Sequence, residues 1–523
     1  MVGYPISEIE ENIDTTKVLL STLTARDFEA WINRWYGDDR NWVYIMQGNN
    51  ADYLFPSKQQ IAAAIREARQ LVVEPEKREE KKLSGQSLVD FEQKGGEIVK
   101  EKLLKPIGTE EWVLGNGAKV YYKYTNYNKG MFNILAGSRG GRSLLPAEDL
   151  PSADVMVAMF LKNGLYKYDN RALNSIMQGH SIDMNISLDE TSESFNCTGM
   201  ASDADMAFQF LYLSFEQPRF ERSAFDKYIY VNKTTVRHSR RTTDDMINDR
   251  MRQIRMLESP RLWQRDTDYY NAMDYDKMVS IFKDRYQDAS DFVFYLVGDL
   301  DREEARVLVE KYIGSLSSMH RKEHPVKHAY YKQGPVKEDI EADIPEQKYI
   351  VDITFKNTLK TKPMDKISMY VLQVYFDHLF QQTIREAEGG SYGVHITGDV
   401  SDFPGYEQSF NVQFESSLEK GPRMREIVHD RIRQFLTEGL SDDELEGIVM
   451  MLKKQHEASL KEIGSIPFWT ENIQFYLRTG KRLDSPEFFE DIVERIKGKD
   501  VSVFARKFFK DADCIDIVVK SRD

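Results

Sequence analysis

The chain has 523 residues, 41% hydrophobic and 30% charged, an ordinary globular make-up with material for more than one core. Its formal net charge is −14, and its lysines and arginines are scattered rather than gathered in a stripe, which disfavours nucleic-acid binding. The longest apolar runs, MVAMFL and FVFYLV, fall far short of the roughly 20 residues that span a bilayer. Two cysteines, Cys197 and Cys514, cannot build a disulfide framework or a cysteine-based zinc site.

In chain order, residues 25–49 (ARDFEAWINRWYGDDRNWVYIMQGN) read as a short amphipathic helix, a polar turn and a short strand. The same grammar returns at 274–299 and at 497–523. Each helix ends in an aromatic (Tyr36, Tyr286, Phe509), and an Asp follows two residues later (Asp38, Asp288, Asp511). The aromatics stand about 250 and 223 residues apart, so the repeating unit is a whole α+β domain. Only a short stretch precedes the first copy. Residues 1–55 are therefore expected to be the C-terminal remnant of a preceding domain whose body is absent. Residues 56–106 read as a linker, one helix and then a charged, turn-rich stretch.

The next unit, 107–318, opens with a hairpin signal, Asn116-Gly117 between alternating strands. A strand (MFNILAGSRGG), two helices, a strand pair (SIDMNISLD and SESFNCTGM) and long helices from 203 to 256 follow. Residues 319–344 read as an interdomain linker. The last unit, 345–523, starts with the strand KYIVDITFKN and a long amphipathic helix from Pro363. Two strands, SYGVHITGDV and YEQSFNVQFES, four helices (two of them long) and a closing strand complete it.

The long helix runs out in IREAEGGSYGVHI, residues 384–396, and here the chain resembles the pitrilysin/insulinase family of zinc peptidases, in particular its bacterial pitrilysin-like branch. WVLGNGAKVYY, QFLYLSFEQPRFERSAFD, DFVFYLVGDLDREEARVLVEKYIGSL and FQQTIREAEGGSYGV look like family segments in family order. The resemblance implies homologous α+β domains of antiparallel-rich mixed sheet with helices packed on one side. It makes 107–318 a degenerate third domain and 345–523 a fourth, so that the chain is the C-terminal half. It matches the family's Arg and Tyr to Arg385 and Tyr392. Arg385 offers a five-donor fork for a backbone carbonyl or a carboxylate. The Tyr392 hydroxyl can donate to a developing oxyanion. Gly390, Ser391 and Gly393 would let a substrate peptide approach the following strand edge-on.

The family's zinc motif lies on a helix of its first domain. The corresponding slots here, Val155 to Met159, contain no His and no Glu, and aliphatic side chains do not ligate zinc. A literal H-x-x-E-H does occur at 320–324, HRKEH. Pro325 disfavours helix at His324, the flanks are polar, and the stretch falls in the interdomain linker. A third ligand is missing too: the nearest candidate, Glu407, lies between two predicted strands. His320, Glu323 and His324 are expected to be solvated linker residues, and His180 structural.

The sequence thus points to the substrate-binding, transition-state-assisting half of a zinc-dependent endopeptidase. Zinc is expected in a missing N-terminal half, present in cis or as a separate subunit, and no metal in this chain. A peptide is the expected substrate and the periplasm the expected compartment, with no nucleic acid and no membrane span. The competing expectation is a catalytically inactive scaffold subunit of a peptidase-like complex.

Overall fold

A computed structural model describes residues 9–36, 43, 45, 55–71, 85–239, 242–344, 347–387, 393–402 and 405–522. The chain forms two compact units, Met1–Glu80 and Lys81–Asp523. In the smaller unit three helices are described, Ile9–Thr22, Ala25–Tyr36 and Lys58–Gln70. A capping box, Ser57 with Gln60, starts the third. The second buries none of its residues, and Phe28, Trp31, Ile32 and Trp35 are exposed along it. The strand expected after Tyr36 falls almost wholly outside the described residues.

The larger unit holds two sheets. The first contains β1 (Ile98–Leu104), β2 (Thr109–Leu114), β3 (Lys119–Tyr124), β4 (Met131–Arg139), β5 (Ile182–Leu188), β6 (Ser192–Met200) and β7 (Val293–Gly298). Their spatial order is β1-β2-β3-β7-β4-β6-β5. The second contains β8 (Val336–Ala342), β9 (Tyr349–Asn357), β10 (Val394–Ser401), β11 (Glu407–Ser416) and β12 (Asp513–Ser521), ordered β10-β11-β9-β12-β8. Each has one parallel pair, β3 with β7 and β8 with β12, among antiparallel ones. From β3 to β5 and from β8 to β10 the two orders coincide: first strand, closing strand, then three antiparallel neighbours. The repeated helix–Asp–strand endings at 274–299 and 497–523 supply the two closing strands, β7 and β12.

Strand alternation decides which face each sheet buries. Val120, Ile134, Phe195, Phe294 and Leu296 meet helices Leu150–Met159, Ala204–Glu216, Tyr275–Tyr286 and Arg302–Lys311 in the first core. Val351, Ile353, Phe410 and Val412 meet helices Pro363–Phe380, Gly421–Glu438 and Gly498–Lys510 in the second. The outer faces are covered by exchange. Helix Ile466–Thr479 of the second half lays Ile466, Trp469 and Ile473 on Tyr121, Tyr295 and Val297 of the first sheet. Helix Thr243–Arg255 of the first half lays Met251 and Ile254 on Ile515 and Ile517 of the second. Ile466 N–H donates to Asn128 Oδ1 at 3.0 Å, and the Lys123 ammonium sits 3.8 Å above the Trp469 ring.

Four expectations change. The stretch read as linker to residue 106 already belongs to the first half: Leu88 is fully buried, and β1 pairs with β2. Gly96 donates to Glu310 O at 2.8 Å and lies back to back with Gly314, so close that a Cβ on Gly96 would stand 2.6 Å from Gly314 O. The linker read at 319–344 ends in β8. Both missed strands are edge strands rich in charge, and such a composition hides a strand while discouraging edge-to-edge association. Five α-helices rather than four follow β11. Finally, the linker from 319 onward is pinned rather than solvated, as detailed below. Among the described residues no helix is long and apolar enough to cross a membrane.

Ile473 is fully buried in the exchanged contact. Ile473→Ala is expected to lower stability by about 3 kcal/mol through the cavity it leaves, read by urea unfolding followed on tryptophan fluorescence.

Candidate functional site

Among the described residues, helix Thr243–Arg255 lies mainly over β8 and β12 on the outer face of the second sheet and reaches β9 through Arg255, and that face continues over β9, β11 and β10. A groove of about 500 Å³ lies there, lined by Met251, Asp352, Gly393, His395, Gln413 and Glu415 among others. Its floor is built on Asp352, on the outward side of β9 yet only 3% exposed. Asp352 pairs with Arg255 and accepts from Asn411 Nδ2 at 3.0 Å and from Gln413 Nε2. A buried carboxylate is retained only with such partners, and the pair also ties the two halves together at the groove. One wall is β10, which among the described residues pairs with β11 alone; Gln373 Oε1 accepts its Gly398 N–H at 3.2 Å and Gln381 Nε2 donates to its Val394 O at 3.5 Å. Among its outward residues His395 and Thr397 are exposed, while Val394 and Ile396 are buried in the core.

Helix Pro363–Phe380 passes directly into a π-helical turn, Gln381–Ala387, and Arg385 stands on that turn. Ile384, fully buried, anchors the turn in the second core, and the Thr383 hydroxyl donates to Leu379 O at 2.7 Å. Turns of this kind are rare and recur at functional sites. Gly393 lines the groove at the entrance to β10. Gly390, Ser391 and Tyr392 lie outside the described residues, as does the side chain of Arg385. The resemblance pointed to this loop but not to Asp352, Arg255, His395 or Gln413. An Asp on the polar side of an alternating strand reads as solvated, and nothing local announces the arginine that buries it.

The zinc-motif slots are filled with core. Val155 and Met156 are fully buried and Met159 is 4% exposed, all in the first core. These carbon-lined positions do not fit zinc, and no step through that metal is derived on this helix. HRKEH is neither helix nor strand: His320 has φ +56°, and His320 and His324 are exposed. Glu323 behaves otherwise. Both its oxygens accept from Arg285, at 2.8 Å each, and Arg285 is only 4% exposed. Neighbouring linker residues are held as well. Asp288 accepts from the Met319 and Arg321 N–H groups, at 2.9 and 3.1 Å, and Val326 N–H donates to Ser143 Oγ at 3.0 Å. Burial opposes the charge on Asp288, yet these bonds and that from Ser290 hold its carboxyl below the usual range. Buried charges on the first half draw the linker down, where composition alone suggested a solvated strand of chain. His180 is paired with Asp203, at 2.8 Å, as a structural histidine would be.

This α+β fold is that of solved M16 peptidases. Residues 272–452 match the family model described as Peptidase M16 inactive domain. The probable zinc protease PqqL of Haemophilus influenzae is 19% identical over 379 residues, which cover 71% of this chain and 39% of that protein. The periplasmic protease PqqL from Escherichia coli superposes with a TM-score of 0.73 at 14% identity, over 89% of this chain and 51% of that one. The ferredoxin protease FusC, solved with Arabidopsis ferredoxin, superposes at 0.70 with 13% identity, over 90% and 51%. The first half of E. coli PqqL also matches, at 0.63 with 13% identity, over 79% and 92%. Residues 272–452 thus match the M16 inactive domain, the chain has the fold of PqqL, and it spans 39% of the Haemophilus protein and about half of E. coli PqqL and FusC.

Glu323→Ala is expected to cost about 2 kcal/mol, because it leaves the buried Arg285 with Asp284 as its remaining carboxylate partner. His324→Ala, at an exposed position, should stay within about 0.5 kcal/mol. Urea unfolding of the two variants separates a structural strap from a histidine site.

Proposed function

We propose that this chain is the non-catalytic, substrate-holding part of a zinc-dependent endopeptidase, and that it completes an active site whose zinc belongs to an N-terminal half, supplied in cis or by a separate subunit. The observation that carries the reading is β10, paired among the described residues with β11 alone, beside the groove and next in sequence after the π turn that bears Arg385. An extended peptide adds to such an edge through its backbone and places alternate side chains in the groove. Gly390, Ser391 and Gly393 keep the approach to that edge free of bulk. Arg385 holds a substrate carbonyl or carboxylate by its fork, and Tyr392 donates to the oxyanion that develops as the peptide bond is attacked. Neither residue activates water, so the chain by itself hydrolyses nothing. The periplasm is the compartment we assign, in line with PqqL of E. coli, which is periplasmic.

Combined with a zinc-bearing M16 N-terminal half, the chain is expected to support cleavage of unstructured peptides. Arg385→Ala and Tyr392→Phe should each lower kcat/KM by roughly 10²-fold, the scale of losing one preorganised donor. Unchanged activity in both variants would remove the assignment of these residues. A stable complex with no peptidase activity in any combination would favour the scaffold reading instead.

A further inference from the structure

The glutamate of HRKEH leads to a second cluster, away from the groove. Glu193 lies at the start of β6, Asp291 just before β7, and Glu323 in the linker. One carboxylate oxygen from each lies within 4.8 Å of the other two. Glu193 is the unusual member. It is fully buried; its Oε2 accepts the Gly141 N–H at 2.6 Å, while its Oε1 is buried with no hydrogen-bond partner. Burial pushes its carboxyl up to about 7, which reflects how poorly the surrounding protein solvates that charge. Burial also raises Asp291, whose Oδ2 accepts from Ser138 Oγ at 2.6 Å. The guanidinium nearest the cluster, Arg285, is committed to Glu323 and Asp284. A buried acceptor left without a donor is costly, and three converging carboxylates magnify that cost.

We propose that Glu193, Asp291 and Glu323 bind a calcium ion that fastens the interdomain linker to the first sheet. The donor set is all oxygen and acidic, the choice of a hard cation rather than of zinc. Calcium takes ligands at about 2.3–2.6 Å in flexible geometry and completes its shell with water. Two oxygens about 2.4 Å from a shared ion stand at most about 4.8 Å apart, and no pair in the cluster exceeds that separation. Partly exposed Asp291 and Glu323 leave a route to solvent, and the orphaned Glu193 oxygen supplies the inner ligand. The ion would join three segments distant in sequence, two of the sheet and one of the linker.

The test is a terbium luminescence titration and a calcium-dependent melting curve on the full chain after treatment with chelator. Calcium is expected to raise the melting temperature by several degrees, to be reversed by EDTA, and to displace terbium. Asp291→Asn and Glu193→Gln should both abolish the calcium shift and the terbium signal. Should Glu193→Gln fail to fold, the wild-type titration and Asp291→Asn decide alone. A wild-type chain indifferent to calcium, with Glu193→Gln more stable than wild type at about pH 8, would overturn the proposal and assign a shared proton to the cluster. Terbium binding that survives both substitutions would overturn it as well, as adventitious surface binding.

Discussion

A β-sheet has two faces, and the helices that follow its own strands cover only one. In residues 81–523 that constraint is met in part by exchange: helix Ile466–Thr479 covers β3 and β7 on the outer face of the first sheet, and helix Thr243–Arg255 covers part of the second. Neither half completes its own surface. The groove lies beside the borrowed helix, over β9, β11 and β10. The pair Arg255–Asp352 marks the border between the covered part and the groove. It fixes the groove floor and joins the halves with the same contact.

The second organising force is buried charge. Asp288 and Arg285, 1% and 4% exposed, sit where the first half meets the linker. Each needs partners, and the linker supplies them through backbone N–H groups at 319 and 321 and through Glu323. A segment that begins as a connector is thereby ordered by the electrostatic needs of the domain it leaves. The residue order of a zinc motif in that segment is a by-product: its glutamate is spent on an arginine, and its histidines face water.

Much of this architecture was legible. The Asn116-Gly117 turn, the alternation in β4 and β6 and the thrice-repeated ending all mark backbone states that local chemistry enforces. The repeat was the strongest guide, since its second and third copies deliver strands to equivalent positions in two sheets of one order. The edge strands β1 and β8 were hidden because charge on an exposed edge resembles charge in a loop. Arg255 and Asp352 escaped notice because their partnership spans two domains, and no window of sequence contains both. The segment 385–393 was singled out by family resemblance, whereas the widening of helix Pro363–Phe380 into a π turn carried no signal.

The contact between Gly96 and Gly314 has a consequence for how this chain can change. A Cβ at either position would stand within 2.6 Å of the other's carbonyl oxygen. Most steric conflicts in a protein can be relieved by shrinking the neighbour, which is how compensating substitutions arise. Here the obstacle is main chain, and the neighbour already has no side chain to give up. The two positions form a closed pair for which no second-site suppressor exists within the pair. A substitution at one must be absorbed by moving the backbone that leads into β1, so the entry into that strand is among the least negotiable points of the first sheet.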